Sequence, residues 1–222
     1  LAAAAAVTTN LKVGMGIALV TERDPILMAK QVATLDHISN GRLILGVGAG
    51  WNAEEMENHG TPFASRWKVL RERILAMKAI WTDEAAEFHG DYVDFDPLWS
   101  YPKPKQAGGP PILLGAASKY MHKRIAEYCD GWFPIYQDEA RAAAAGATDY
   151  SESMRLTREA WDSAGRSGSP NSTIFGVGHD PAAVERCLAH GFDRIVFALP
   201  PAGADEVLPM IERYAALKEQ FD

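Results

Sequence analysis

The chain has 222 residues, 47% of them hydrophobic and 23% charged, with a formal net charge of −7. That is material for one large domain or two small ones, and it is too acidic for general nucleic-acid binding, which needs a basic face. Two cysteines, Cys129 and Cys187, exclude a disulfide scaffold and fit a reducing cytoplasm, and no apolar run approaches the length of a membrane span.

The chain opens LAAAAAVTTNLK without an initiator Met. This reads as the end of a helix begun upstream, so the expectation is a chain lacking part of its N-terminal region. Apolar residues 11–19 (LKVGMGIAL) predict a buried strand. Asp24-Pro25 then gives a cap and a proline at the first helical position. A helix over 25–38 follows, with Ile26, Leu27, Val32, Leu35 and Ile38 at helical spacing. Residues 42–48 (RLILGVG) predict the next strand, and 66–81 a helix with Leu70, Ile74, Met77 and Trp81 on one stripe. Residues 87–110 break the alternation, with several aromatics and prolines and no helical period. They read either as a surface excursion with a small hairpin (EFHGDYVDF) or as a lid supplying Trp99 and Tyr101 to a pocket. Strands follow at 111–115, 131–135, 173–178 and 193–199, and helices at 119–128, 138–164, 181–190 and 204–220. Asp180-Pro181 repeats the cap-proline opening.

A β-α order repeated six times implies a parallel sheet with helical crossovers. An open doubly wound sheet and a closed (β/α)8 barrel compete. A barrel needs eight units and about 250 residues. Six units plus an absent front end of roughly 60 residues, at about 30 per unit, would complete one.

The stretch RLILGVGAGWN raises a question of its own. Gly46, Gly48 and Gly50 alternate and so leave one face of the strand bare, although glycine weakens a strand. Gly14 and Gly16 repeat the device one strand earlier. Two adjacent strands bare near their C-terminal ends offer a smooth patch for a flat ring. The alternative is that the glycines relieve crowding or permit a bulge. A dinucleotide fingerprint does not fit, because the third glycine of G-x-G-x-x-G falls on Trp51. Asn52 and Trp51 stand at the strand tip, and Asn52 either faces a ligand or caps the helix from about Ala53. Glu54, Glu55 and Glu57 read as a solvated helix start, with contact to a substrate the alternative. At Gly115-Ala116-Ala117-Ser118 a strand passes through small residues into a helix, with Ser118 as N-cap. This suits a phosphate, or equally a tight turn with nothing bound. The six histidines show no metal-ligand spacing, and no G-x-S-x-G elbow is present.

Taken in order, DPILMAKQVATLDHISNGRLILGVGAGWNAEE, LRERILAMKAIWT, PPILLGAAS and DGWFP resemble the bacterial luciferase-like family of flavin and deazaflavin oxidoreductases. The resemblance covers nearly the whole chain. It implies a (β/α)8 barrel of the luciferase type, with residues 1–222 one domain, 87–110 an insertion, strand 11–19 the third strand and the first two βα units absent. It further implies a non-proline cis peptide at Gly16-Ile17, forming a bulge that backs a cofactor ring. Gly14, Gly16, Ile17 and Asn52 are then placed at the ring, and Gly115, Ala116, Ala117 and Ser118 at its phosphate. Ala49 stands where some members carry an acid, so no catalytic acid is assigned. The implied cofactor is coenzyme F420, with FMN the alternative. Lys103, Lys105, Lys119, Lys123 and Arg124 are candidates for meeting an acidic cofactor tail. The expected protein is a cytoplasmic oxidoreductase acting on a small molecule, with no nucleic-acid or membrane partner. It is expected to be homo-oligomeric, a dimer in the first instance. An FMN-dependent monooxygenase and a non-catalytic barrel serving as a binding partner are the alternatives.

Overall fold

The computed structural model describes residues 1–138, 142, 146 and 148–221. The chain divides into two compact units: residues 1–115 with 128–130, and residues 116–127 with 131–222.

In the first unit a short helix α1 (Ala2–Ala6) precedes strand β1 (Val13–Leu19). Arg42 ties the two, donating to the carbonyls of Ala5, Thr8 and Leu11. Helix α2 spans Pro25–Ile38, as predicted, because its start is encoded locally: Asp24 accepts from Leu27 N at 2.7 Å and Pro25 holds the first helical position. Its buried face matches the predicted stripe only in part. Val32 is buried as predicted, but Leu27 and Ile38 are exposed, and Met28, Ala29 and Ala33 are buried. Strand β2 (Leu43–Gly48) pairs in parallel with β1, and strand β5 (Ile112–Leu114) pairs in parallel with β2. Between them lie helix α3 (Ala53–Asn58), helix α4 (Arg66–Thr82) and an antiparallel hairpin of β3 (Ala86–His89) and β4 (Asp94–Leu98). The predicted α4 stripe is the buried face: Leu70, Ile74, Met77 and Trp81 are all closed to solvent. Trp81 also donates its indole N–H to Ala29 O at 3.0 Å, locking α4 to α2.

The insertion is a pinned surface structure. The carboxylate of Glu72, on α4, accepts the backbone N–H groups of Asp91, Tyr92 and Val93 at the hairpin tip, at 3.2, 2.6 and 3.0 Å. Buried Asp36, on α2, accepts both the backbone and side-chain N–H of Gln106, each at 2.8 Å, and Gln106 donates onward to Leu43 O. Lys103 caps the C-terminal end of α4 by donating to Ile80 O and Asp83 O. Trp99 and Tyr101 are 77% and 53% exposed, so of the two sequence readings the surface excursion with a hairpin describes this segment. The Tyr101-Pro102 peptide is cis.

In the second unit, helix α5 (Met121–Tyr128), whose last residue belongs to the first unit, precedes strand β6 (Gly131–Trp132). Helix α6 (Tyr150–Ser163), strand β7 (Asn171–Val177), helix α7 (Pro181–Ala189), strand β8 (Arg194–Phe197) and helix α8 (Ala204–Lys218) follow. β6, β7 and β8 run parallel. β6 is shorter than the predicted 131–135, and Ile135 keeps only an isolated bridge to Phe175. Of the predicted helix 138–164, residues 139–141, 143–145 and 147 lie outside the described residues. α5 also starts later than predicted. A turn at 118–120 intervenes, so Ser118 is not its N-cap. Trp132, Tyr150 and Phe192 form the aromatic centre of this unit, with centroids 5.6–6.0 Å apart.

Candidate cofactor site

In the first unit, three consecutive parallel strands bring their C-terminal ends to one side chain. The peptide joining Gly16 to Ile17 is cis, and the β1–β2 register shifts between Met15 and Ala18, so β1 carries a bulge there. Ile17 lies directly over two glycines. A Cβ at Gly48 would fall far inside contact distance of Ile17 Cδ1, and one at Gly115 would meet Ile17 Cγ2 at 2.9 Å. Gly115 is itself held to the sheet, donating its N–H to Val47 O at 2.8 Å.

This corrects the expectation drawn from the alternating glycines. The face left bare on β2 is not an open patch for a ring, because Ile17 covers it. The physical reason is the bulge, which turns Ile17 across β2 toward Gly115 and leaves no volume for side chains at positions 48 and 115. On β1 itself Gly14 and Gly16 are exposed and Ile17 is half-buried. The accessible surface there is glycine backbone with an aliphatic side chain beside it.

The tip beyond β2 is latched to the end of β1. Thr21 Oγ1 donates to Ala49 O at 3.2 Å, and Thr61 Oγ1 donates to Thr21 O at 2.6 Å. Gly50 takes φ +81°, a left-handed conformation that favours glycine. This turn delivers Asn52 to the N-cap of α3, where its Oδ1 accepts Glu55 N at 3.4 Å. Asn52 is therefore a cap and is also half-open. Trp51 beside it is 85% exposed. Glu54, Glu55 and Glu57 are exposed on α3, the solvated helix start that was expected. Glu22 closes β1's connection: its Oε1 is shut from solvent without a hydrogen-bond donor, 3.8 Å from where a Cβ on Gly50 would stand. Burial first, and the charge of Glu55 second, push its carboxyl above the ordinary range.

In the second unit, Ala116 and Ser118 are half-open and Ala117 is exposed. Trp132 donates its indole N–H to Ala116 O at 2.8 Å, and Arg124 donates to Ser118 Oγ at 3.2 Å. Lys119 and Arg124 both lie over the ring of Tyr120, at 5.0 and 5.6 Å. The turn is thus held by a buried indole and edged by cations. Trp132 was missed as a positioning residue. Its signal was the DGWFP stretch, which marked a strand and the family resemblance but not a hydrogen bond to the turn. Of the cations expected near an acidic tail, Lys103 is engaged at the end of α4. Among the described residues no group of three or more His, Cys, Asp or Glu is placed to hold a metal, and no helix is long and apolar enough to cross a membrane.

Parallel strands alternating with helices define a member of the (β/α) barrel class. The chain belongs to the luciferase-like monooxygenase family, whose model matches residues 1–186. It is 38% identical over 216 residues to an uncharacterized protein of Mycobacterium tuberculosis, covering 97% of this chain and 73% of that one. It is 35% identical over 131 residues to the FMNH2-dependent dimethylsulfone monooxygenase of Pseudomonas putida, covering 58% of this chain and 36% of that one. Among solved structures, the coenzyme F420-dependent tetrahydromethanopterin reductase of Methanopyrus kandleri superposes with a TM-score of 0.75 at 19% identity, covering 94% of this chain and 85% of that one. The fold expected from the sequence, the luciferase type of α/β barrel, is the fold found.

Proposed function

We propose that this chain is an oxidoreductase that moves a hydride between coenzyme F420 and an organic small molecule. Gly14, Gly16, Ile17 and Asn52 bind the ring, and Gly115, Ala116, Ala117 and Ser118 bind the phosphate. The observation that carries this reading is the floor made by Ile17. One aliphatic side chain, packed without slack over Gly48 and Gly115, presents an apolar surface next to bare backbone at Gly14 and Gly16. A planar tricyclic ring needs such a surface, rigid and free of competing polar side chains.

The residues present fit the group. Small residues at 115–117 let a phosphate approach the backbone beyond Gly115, whose own N–H is held by Val47 O, and Trp132 fixes the Ala116 carbonyl. The cofactor, when bound, supplies the hydride chemistry. The chain's own residues bind and orient it. Ile17 sets the height of the ring and shields one face from water. The Asn52 carboxamide keeps its Nδ2 free to donate while Oδ1 serves the α3 cap. Lys119, Lys123 and Arg124 are the cations that suit an acidic tail beyond the phosphate.

Titration of the full-length protein with F420 and with FMN, followed by absorbance and intrinsic fluorescence, tests the proposal. F420 is expected to bind tighter. Tight FMN binding without affinity for F420 would overturn the cofactor choice in favour of an FMN-dependent monooxygenase, which the identity to the dimethylsulfone enzyme supports. Binding of neither would leave the non-catalytic barrel.

A further inference from the structure

We propose that the first unit carries a second binding site, for a small carboxylic acid with an apolar body, between Arg73 of α4, the start of α2 and the tip of the β3–β4 hairpin. These elements border an open cleft of about 310 Å3. That lies at the small end of the roughly 300–1,000 Å3 typical of ligand sites. Its walls divide by chemistry: Ile26, Val93 and Phe95 supply an apolar side, and Arg23, Arg73 and Tyr92 supply donors.

Arg73 carries the inference. It is half-buried, and its Nη1 donates to Val20 O at 3.0 Å. Its Nε is shut from solvent with no acceptor. No carboxylate among the described residues forms an ion pair with it. A guanidinium does not shed its proton to escape burial, so the charge stays, offset through space by Asp24 but met by no direct acceptor at Nε. The acceptor that matches its planar fork is a carboxylate.

The acids already on the wall make no hydrogen bond to the guanidinium. Asp24 is engaged as the cap of α2, accepting Leu27 N at 2.7 Å. Glu22 turns one oxygen against Gly50, away from any donor. The hairpin side of the cavity is held firm by the three N–H bonds to Glu72, so the apolar wall is preorganised. None of these residues belongs to the proposed cofactor site, and the two proposals stand or fall separately.

Calorimetric titration of the full-length protein with benzoate and with benzyl alcohol tests this. Benzoate is expected to bind at least about tenfold tighter than the neutral alcohol, the factor that one charge-assisted hydrogen bond supplies. Arg73→Met should remove most of that difference. Glu22→Gln, which takes a negative charge from the wall, should leave benzoate binding intact or tighter. Equal binding of acid and alcohol, unchanged benzoate affinity in Arg73→Met, or no benzoate binding up to about 20 mM would each overturn the site. If Arg73→Met fails to fold, the comparison of benzoate with benzyl alcohol on the unmodified protein decides alone.

Discussion

Replacing Gly48 by alanine tests the packing of Ile17 directly. The added methyl would fall on Ile17 Cδ1, while the next atom, Ile17 Cγ1, would stand 3.4 Å away in ordinary contact. Overpacking of this kind costs about 1–3 kcal/mol, and a terminal methyl that can swing aside puts Gly48→Ala near the lower end. Alanine also stabilises a strand over glycine by roughly 0.5–1 kcal/mol, because the unfolded chain has less freedom to lose. The net expectation is a destabilisation of only about 0–0.5 kcal/mol, so the cycle and not the single variant carries the test. Ile17→Val deletes Cδ1 alone and by itself costs about 0.5–1.5 kcal/mol. In that background the alanine methyl fits, so the second substitution should be neutral or stabilising. The double-mutant cycle should therefore show a coupling of about 1–2 kcal/mol. Gly115→Ala provides the contrast, because it collides with Cγ2 at 2.9 Å, which valine retains, so Ile17→Val should not rescue it. Urea unfolding of the six proteins, followed by tryptophan fluorescence, reads these values. Additivity of Gly48→Ala and Ile17→Val within about 0.5 kcal/mol would refute the contact.

Two further outcomes are expected. Glu72→Ala removes the acceptor of three N–H groups, one of them on buried Val93. It should destabilise the first unit by about 1–3 kcal/mol, chiefly through the Val93 donor left buried, and raise amide exchange at 91–93 in particular; uniform exchange across the unit would count against a local pin. His89 and Asp94 face each other across the hairpin, with Nδ1 to Oδ1 at 2.7 Å. The bond to Asp94 holds the imidazole above its ordinary value. A raised folded-state value means the hairpin contribution is complete below about pH 6.5 and fades as pH rises through the shifted value. NMR titration should find His89 back near its ordinary value in Asp94→Asn.

The legible parts of the sequence were those written locally. Asp24-Pro25 fixed the first residue of α2, because a cap and a proline act within one turn. The α4 stripe was readable because its buried residues are large. The α2 face was read only in part for the opposite reason: beside Val32 its buried residues include Ala29 and Ala33, and alanine is silent to a count of large apolar side chains. The β-α order indicated the architecture, since alternation admits few topologies. The glycines of β2 pointed to a site but not to what covers it. Gly48 and Gly115 are 67 positions apart, and only the register of three strands places Ile17 above both. Likewise, no spacing rule predicts that the Trp132 indole holds Ala116 O, or that Lys103 is engaged at the end of α4 rather than free for an acidic tail.

The way Glu72, Asp36 and Lys103 grip the insertion has a consequence for how this segment can vary. Closing a loop costs chain entropy that grows only with the logarithm of length, about 0.6 kcal/mol per doubling. Held at 91–93, again at Lys103 and again at Gln106, the insertion closes as several short spans in place of one long one. Residues gained or lost between Leu98 and Tyr101 therefore change little. A one-residue slip at Gln106 instead withdraws two donors from a buried carboxylate at once. Length is cheap in the spacers and forbidden at the clasps, so variants of this segment should differ in how much chain lies between the clasps and agree in where the clasps fall.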